Sequence, residues 1–447
     1  VFSLARILVA GAGCGGLVAA IKLAEMGHNV TVFEKSDKDL LGLEQTDAID
    51  LSAFEMAGIP VDPNFTIGKN TLTIFPPDKS VASITLPPPS EDSVLADRRH
   101  LAKHFTDLCE KSGADIIYNS IVKSPIVLGS RVVGIKTDSG DFYGDLVIDA
   151  CGIDSPLRNN LPSFMNINRQ LKETDVLYTY RAYFKNDKTA PQPDTYYNIY
   201  INGGGTDGFS WLITEDDKID VLIASFSPLD NEIVLKKLQS LYEENPHLSK
   251  DFLYGGKFKT IPLCQPLGCL VADGYAAIGD SAFMTYAVKG SGIAYSMVAG
   301  KLLADAIEND TYELFNCETL WEYQKSFFKE IGFSACRIVL VKNILPYLTV
   351  EEVSEFFKSR IITTDEISVV VTNKFSTLTN SEGRAFLKEK VKLFKNDPIL
   401  KEKTSLLAVW LGKLALTEPF LPSKYDRKDV EKWVLRYNEF FDGMKAP

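Results

Sequence analysis

The feature that most constrains the fold is a glycine-rich turn near the start of the chain. Residues 6–10 form a short β-prone run, Gly11-Ala12-Gly13-Cys14-Gly15-Gly16 follows, and residues 17–26 have the apolar spacing of a helix. A second β-prone run, residues 29–33, ends directly before Glu34. This order predicts a strand, a tight turn, a helix and a second strand, which together make one βαβ unit.

The glycines of Gly11-x-Gly13-x-x-Gly16 have separate roles in binding a dinucleotide. The first permits the tight turn, the second lets the backbone approach a pyrophosphate, and the third lets the helix pack on the strand. The N-terminus of the helix offers free N–H groups to the phosphates. Glu34 follows Gly16 by 18 residues, where a carboxylate accepts hydrogen bonds from an adenosine ribose. The residues expected to bind the dinucleotide here are Gly11, Gly13, Cys14, Gly15, Gly16, Glu34 and Lys35.

Length and charge exclude several classes of protein. A chain of 447 residues predicts two or three substructures of ordinary domain size. The net charge of −11 disfavours binding to nucleic acid, which needs a basic surface. The seven cysteines include no C-x-x-C pair, and this favours a reducing, cytoplasmic setting. No apolar run is long enough to predict a membrane span, and the four histidines show no spacing that predicts a metal site.

Two later segments favour FAD over NAD as the dinucleotide. Asp280 ends an apolar run, in Ala276-Ala277-Ile278-Gly279-Asp280, and its carboxylate can accept hydrogen bonds from polyol hydroxyls. The loop Gly290-Ser291-Gly292 comes directly before a helical pattern that begins at Ile293, and a helix N-terminus there would stabilise negative charge. These segments resemble those of the FAD-dependent oxidoreductases of the geranylgeranyl reductase type, within the group of p-hydroxybenzoate hydroxylase. In such proteins the Gly-Asp pair holds the ribityl chain and the pyrophosphate.

Two more segments extend the resemblance. Residues 149–158 resemble the A-D-G-x-x-S-x-x-R segment of this group, with Cys151 in place of the acid before Gly152. In the hydroxylases that acid is associated with flavin and nicotinamide nucleotide binding, so its absence weakens a hydroxylase interpretation. Asp97-Arg98 resembles the D-R pair that begins a helix beside the cofactor. The resemblance therefore adds these cofactor residues: Arg98, Val122, Cys151, Gly152, Gly279, Asp280, Gly290, Ser291, Gly292 and Ile293.

A third group of residues is expected to contact the substrate. The segment Gly208-Phe209-Ser210-Trp211-Leu212-Ile213 resembles the G-Y-x-W-x-[FI]-P strand of geranylgeranyl reductases, in which aromatic side chains line a lipid-like cavity, although Thr214 replaces the proline. Flavin halogenases have a second Trp and the proline in this strand, so halogenation is disfavoured. The substrate residues expected on this basis are Tyr197, Phe209 and Trp211.

The proton donor is left open among three residues. Many geranylgeranyl reductases have a cysteine in the loop after the second strand, but residues 41–47 contain none. Glu44, Asp47 and Tyr286 are the candidates, because their segments are expected to approach the isoalloxazine.

The resemblance implies an α/β fold: an FAD-binding Rossmann domain of the glutathione reductase and hydroxylase type, an inserted antiparallel substrate sheet and a helical C-terminal region. The expected divisions are 1–69, 91–160 and 265–330 for the FAD-binding domain, 70–90 for hairpins of the substrate domain, 161–264 for its β-rich part and 331–447 for the helical region. The apolar helices of that last region either pack within the chain, form a dimer or contact a membrane surface, and packing is the favoured interpretation.

The function expected from the resemblance is reduction of carbon–carbon double bonds in an isoprenoid or other apolar substrate, by hydride transfer from N5 of the reduced flavin. The electrons would come from NAD(P)H, bound without a domain of its own, or from a ferredoxin-like protein. The first alternative is an FAD monooxygenase acting on an aromatic or polycyclic compound. The second alternative is a flavin electron-transfer protein.

Overall fold

The computed structural model describes residues 4–67, 71–86, 93–167, 169–203, 207–288, 290–359 and 397–444. Residues 87–90 of the predicted hairpin segment, and residues 360–396 and 445–447 of the predicted helical region, lie outside the described residues.

The secondary structure alternates between strands and helices along the first half of the chain and is mostly helical after residue 290. The strands are β1 (Arg6–Ala10), β2 (Asn29–Phe33), β3 (Thr46–Asp50), β4 (Thr66–Ile67), β5 (Leu72–Phe75), β6 (Ile84–Leu86), β7 (Ser93–Asp97), β8 (Asp115–Ile117), β9 (Val122–Leu128), β10 (Arg131–Thr137), β11 (Asp141–Tyr143), β12 (Leu146–Asp149), β13 (Val176–Asn186), β14 (Tyr197–Ile201), β15 (Phe209–Thr214), β16 (Lys218–Ser225), β17 (Leu248–Pro262), β18 (Val271–Ala272) and β19 (Tyr275–Ala277). The helices are α1 (Cys14–Glu25), α2 (Leu51–Ala57), α3 (Arg98–Lys111), α4 (Pro156–Asn160), α5 (Asn231–Glu244), α6 (Ile293–Glu308), α7 (Cys317–Phe327), α8 (Phe333–Lys342), α9 (Val350–Lys358), α10 (Lys401–Thr417) and α11 (Arg427–Asp442).

A six-stranded sheet with the order β18-β19-β12-β1-β2-β8 contains the predicted dinucleotide turn, and we call it the nucleotide-binding layer. Strand β1 pairs in parallel with β2 on one side and with β12 on the other. Its residues 7–10 are buried, which explains the unbroken apolar run, because a central parallel strand is covered on both faces. Helix α1 packs against α6 and α3 on one of these faces. The sequence's first βαβ unit is therefore the centre of the sheet.

A seven-stranded sheet with the order β17-β13-β16-β15-β14-β5-β6 forms the second large layer. Its pairs are antiparallel except for β14 with β5. One face packs on α5, where Leu212, Val221 and Ile223 join Val234 and Leu238 in a separate hydrophobic cluster. Strand residues that alternate with these, including Trp211, pack against the main core of the nucleotide-binding domain. The sheet therefore has one face turned to α5 and the other turned to the nucleotide-binding layer.

Two small antiparallel sheets complete the described strands. One has the order β11-β10-β9, and the other has the order β3-β7-β4. The second holds the loop before β3 against the start of α3, since the N–H of Arg98 donates to the carbonyl of Gln45 (2.9 Å).

The C-terminal helices pack within the chain, as favoured from the sequence. The indole N–H of Trp433 in α11 donates to the carbonyl of Gly268 (2.7 Å), and the Tyr437 hydroxyl donates to that of Pro266 (2.9 Å). Both side chains are buried in the main core. Among the described helices, none is both long and apolar enough to cross a bilayer.

The Rossmann-type layer, the antiparallel sheet and the helical C-terminal region confirm the fold class expected from the motifs. The individual domain bounds stay predictions.

Candidate functional site

The glycine turn after β1 is packed too tightly for any other residue at two positions. Gly11 has a φ of +101°, and a Cβ added to it would lie 2.3 Å from the carbonyl oxygen of Ala150. A Cβ on Gly16 would lie 2.7 Å from the carbonyl oxygen of Gly11 and 2.8 Å from Cβ of Ala150. The turn therefore lies directly against the end of β12, as the dinucleotide motif requires.

The N-terminus of α1 is free to bind an anion. Its N-cap, Gly13, has no side chain to accept from the first N–H groups, and the first turn carries no acidic residue. Cys14, the first helical residue, is partly buried; burial raises the pKa of its thiol, and the nearby Arg98 only partly offsets this. The thiol is therefore protonated at neutral pH, and the backbone supplies the positive potential.

Glu34 is held at the end of β2, beside this turn. Its side chain is buried, with Oε2 accepting from the N–H of Ala12 (2.9 Å) and Oε1 accepting from the N–H of Ser36 (2.9 Å). The N–H of Ser120 donates to the Glu34 carbonyl (2.8 Å), which brings the chain entering β9 at Val122 past the same point. Lys35 is exposed next to Glu34. The acid, the turn and Val122 are thus neighbours.

Asp280 lies in a 3₁₀ turn, Gly279–Ala282, that reaches the start of α6. Its Oδ1 accepts from the Thr285 hydroxyl (3.3 Å), and a Cβ added to Gly292 would lie 3.0 Å from that same oxygen. Burial raises the pKa of Asp280, and attraction to Arg98 opposes the rise. Within the described residues Thr285 is its hydrogen-bond partner, so the carboxylate retains acceptor capacity for a ligand hydroxyl.

The loop before α6 presents a second uncapped helix N-terminus. The N–H of Tyr286 donates to the carbonyl of Ser291 (2.9 Å), and Gly290 closes the turn with a φ of +68°. Gly292 is the N-cap of α6, with no side-chain cap and no acid in the first turn. Tyr286 is buried against the Tyr295 ring, and burial raises the pKa of its hydroxyl to about 12.

The two nucleotide segments meet at Gly15. A Cβ added to Gly15 would lie 2.6 Å from Cγ2 of Ile278 and 2.6 Å from the carbonyl oxygen of Ser296 in α6. Ile278 directly precedes Gly279 and Asp280. The first and the last predicted cofactor segments therefore form one continuous surface.

Buried hydrogen bonds of the segment at and after the end of β12 support this surface. Asp149 is fully buried and accepts from the Ser155 hydroxyl (2.5 Å) and the Tyr275 hydroxyl (2.7 Å). Arg158, also buried, donates to the carbonyl of Ser281 in the Asp280 turn (2.8 Å). Sequence reasoning assigned a role only to Cys151 and Gly152 in this motif. It missed the structural roles of Asp149, Ser155 and Arg158, although Ser155 and Arg158 match the motif. Their contacts hold the two cofactor loops together.

Cys151 and Gly152 lie in the same segment, between Asp149 and Ser155. The Cys151 thiol donates to the carbonyl of Ala10 (3.4 Å), and burial, followed by the charge of Asp149, raises its pKa well above the usual value. The side chain is therefore a neutral thiol at neutral pH.

A chain of four charged residues joins the two layers. Arg181 donates from Nε to Asp220 (2.9 Å) and from Nη1 to Asp47 (3.3 Å), and Arg98 donates to the other oxygen of Asp47 (3.3 Å). The Asp97 side chain caps α3 by accepting from the N–H groups of its first turn, which fixes Arg98 at the helix start. Sequence reasoning missed Arg181 and Asp220. The signal that could have identified them is a single acid or arginine within an otherwise apolar part of each strand, β13 and β16.

The electrostatics of this ion-pair chain favour the charged forms of Arg181 and Asp47, whereas burial disfavours the charged form of Asp220. Burial alone would lower the pKa of Arg181, but Asp220 and Asp47 more than offset it. Burial alone would raise the pKa of Asp47, but Arg181 and Arg98 more than offset it and hold the pKa low. Asp220 is fully buried, and burial raises its pKa even beside Arg181.

The three candidate proton donors lie in different environments. Glu44 pairs with Arg99 (2.9 Å), and about half of each side chain is exposed, so the structure does not bring Glu44 into the buried site. Asp47 is held ionised by its two arginines and can accept but not donate a proton at neutral pH. Tyr286 is the candidate that is both protonated and beside the α6 N-terminus.

The predicted substrate residues form one aromatic group on the face of the seven-stranded sheet that is turned to the nucleotide-binding layer. The rings of Tyr197 and Trp211 lie 5.6 Å apart and those of Phe209 and Trp211 lie 6.2 Å apart. The Arg181 guanidinium lies 5.4 Å from the Trp211 ring. The aromatic group and the ion-pair chain therefore share one interlayer surface. Within the described residues, no cluster of His, Cys, Asp and Glu could hold a metal ion.

Comparisons with known proteins agree with this geometry. A family described as an NAD(P)-binding Rossmann-like domain matches residues 9–43. A digeranylgeranylglycerophospholipid reductase of Sulfolobus acidocaldarius is 22% identical over 378 residues, covering 81% of this chain and 82% of the relative.

Solved structures show the same fold. A geranylgeranyl bacteriochlorophyll reductase-like protein from Thermoplasma acidophilum superimposes with a TM-score of 0.71 at 21% identity, covering 86% of this chain and 99% of that one. A myxobacterial FAD-dependent chondrochloren halogenase gives a TM-score of 0.61 at 16% identity, covering 97% and 96%. These matches confirm the resemblance inferred from the motifs.

Proposed function

We propose that this chain, an oxidoreductase that resembles the geranylgeranyl reductases, binds FAD and reduces carbon–carbon double bonds of an isoprenoid or other apolar substrate. The observation that carries the proposal is the meeting of the two nucleotide segments at Gly15, in the same domain whose core Phe209 and Trp211 of the seven-stranded sheet pack against. The similarity to proteins named as reductases of polyprenyl lipids supports the choice of substrate class.

The residues fit FAD. Glu34 would receive the adenosine ribose, the N-terminus of α1 the pyrophosphate, and Asp280, with its unused acceptor capacity, the ribityl hydroxyls. When bound and reduced, FAD supplies the hydride for the double bond.

The chain's own residues would orient the substrate and supply the proton. Tyr197, Phe209 and Trp211 offer an apolar surface that excludes water from a polyprenyl chain. The uncapped N-terminus of α6 would stabilise negative charge that develops at the cofactor site. Reduction of a double bond needs one hydride and one proton, and Tyr286, whose hydroxyl stays protonated at neutral pH, is the donor that we propose.

The surroundings proposed for this reaction follow from the same features. All seven cysteines are free thiols, which supports a reducing compartment such as the cytoplasm. The substrate would be a small apolar molecule drawn from, or presented at, a membrane surface. NAD(P)H or a ferredoxin-like protein would supply the electrons.

Removing either acid that faces the cofactor is expected to release flavin. Glu34→Gln and Asp280→Asn each replace a charged acceptor, and the loss of such a hydrogen bond weakens binding by roughly 10- to 100-fold. The flavin absorbance per mole of purified protein measures the effect. Glu44→Gln, which changes only a surface ion pair, is the matched control and should keep its flavin. If both variants stay fully yellow, FAD is not held by these residues.

The reaction type can be read from the product. The structural likeness to a flavin-dependent halogenase favours oxygen chemistry as the competing interpretation. We expect protein reduced anaerobically with dithionite to add two hydrogens to each double bond of a polyprenyl substrate, as measured by mass spectrometry. A product that gains one oxygen atom after air is admitted would identify a monooxygenase. A reduced protein that transfers electrons to an acceptor protein and forms no product would identify an electron carrier.

A further inference from the structure

A cavity separate from the aromatic group lies where the nucleotide-binding layer meets the edge of the seven-stranded sheet. It has a volume of about 430 Å³ and is lined in part by Ile153, Asp154, Tyr178, Phe258, Lys259 and Thr260. Ile153 and Asp154 directly follow Gly152, in the loop between β12 and α4. Phe258 and Lys259 belong to β17, the edge strand. The cavity therefore opens beside the predicted cofactor loops.

The charged residues that line this cavity are Asp154 and Lys259, and a further lysine of β17 lies on the same sheet face as Lys259. Lys257 and Lys259 lie opposite Arg181 and Thr179 of β13, so both belong to the sheet face that is turned to the nucleotide-binding layer. Partial burial lowers the pKa of Lys259, and repulsion from Arg98, Lys257 and Lys35 lowers it further. The cations of two separate layers thus converge on one lysine.

These lysines have no acidic partner among the residues that the structure describes. Lys35, Lys257 and Lys259 form no ion pair there, whereas many other lysines of the chain do. We call these three residues the lysine groove. A set of converging and unpaired cations fits an anionic ligand.

The edge of a sheet commonly carries lysines that prevent pairing with another chain. Lys250 fits that description, because it lies at the far end of β17 over the Tyr242 ring (5.7 Å). Lys259 does not, because it lines a cavity and lies within electrostatic range of Arg98 and Lys35 of the nucleotide-binding layer.

We propose that the cavity and the lysine groove bind the reduced nicotinamide dinucleotide that supplies the electrons, with its phosphates on Lys259 and Lys257. Asp154, which lines the cavity, can accept from a ribose hydroxyl, a group that a bare phosphate lacks. The nicotinamide would pass a hydride to FAD and leave as NAD(P)⁺, while FAD takes up one proton from solvent. This inference rests on the proposed function.

The test uses the FAD-loaded protein under anaerobic conditions. Flavin bleaching is followed by stopped flow against NADPH and NADH concentration in the wild type, Lys259→Gln and the matched control Lys250→Gln. We expect the half-saturating concentration to rise about tenfold in Lys259→Gln and to stay unchanged in Lys250→Gln, with equal FAD content. Reduction by dithionite, which needs no nucleotide site, is the internal reference for each variant.

Three results would overturn the inference. The first is an unchanged half-saturating concentration in Lys259→Gln. The second is loss of FAD from Lys259→Gln alone, which would show that this lysine holds the flavin phosphates. The third is a wild type that dithionite reduces and NAD(P)H does not. In that case, formation of the hydrogenated product after dithionite reduction would leave the proposed function intact, so the two failures are distinguishable.

Discussion

Arg181→Met is expected to lower the free energy of unfolding by about 3–5 kcal/mol, the cost of breaking a buried ion pair on one side. Arg181 donates to Asp220 and Asp47, and also from Nη2 to the carbonyl of Thr46 (2.9 Å). Methionine fills much of the same volume but leaves the fully buried Asp220 without its cation and Asp47 with Arg98 alone. Urea unfolding of the purified variant measures the change.

The control for this substitution is Arg99→Met, which removes the half-exposed ion pair with Glu44 and should change stability far less. A second substitution, Asp220→Asn, should restore part of the loss, because it removes the buried charge. Equal unfolding of Arg181→Met and the wild type would mean that the ion-pair chain does not stabilise the fold.

The same variant should have a distinctive pH dependence. Burial raises the pKa of Asp220, so protonation in the folded state relieves the unpaired charge as the pH falls. The stability deficit of Arg181→Met relative to the wild type is therefore expected to shrink between neutral and mildly acidic pH. A deficit that grows on acidification would contradict this assignment.

Gly11→Ala is expected to destabilise the protein by about 3 kcal/mol or more and to abolish flavin binding. Backbone strain at a positive φ costs about 1–3 kcal/mol, and overpacking adds about 1–3 kcal/mol. Both apply here, since φ is +101° and the new Cβ would lie 2.3 Å from a backbone oxygen that cannot rotate away. The measurements are urea unfolding and flavin content.

Gly113 provides a closely matched control. Its φ is +95°, and no atom lies within 4 Å of an added Cβ. Gly113→Ala should therefore show the backbone strain alone and keep its flavin. If the two variants lose the same stability, the contact with Ala150 has no energetic cost and the turn is looser than its geometry indicates.

Local patterns predicted the local parts of the site well. The glycine turn, Glu34 and the start of α6 at Ile293 depend on residues close together in the chain, where backbone geometry and capping decide the outcome. The enzyme class and the likeness to geranylgeranyl reductases followed from these segments and are confirmed by the comparisons.

Contacts between distant segments were not predicted. Arg181 and Asp220 meet because β13 and β16 pair antiparallel in one register, and a shift by one residue would turn each to the other face. Asp149 becomes a buried acceptor only when β12 and β19 align side by side. The exposure of Glu44 depends on how its loop lies against α3. Such outcomes depend on the tertiary arrangement, which no single segment encodes.

The order of strands in the seven-stranded sheet has a consequence for dividing the molecule. Strands β5 and β6 precede α3 in the chain, yet β5 pairs with β14, which follows the last strands of the small sheets. A cut anywhere between residues 87 and 175 would separate β5 and β6 from β14 and leave β14 with an open edge. A cut before β12 would also separate β1 from β12. The two layers are thus interleaved in the covalent chain, and neither is an autonomous module that recombination could exchange intact.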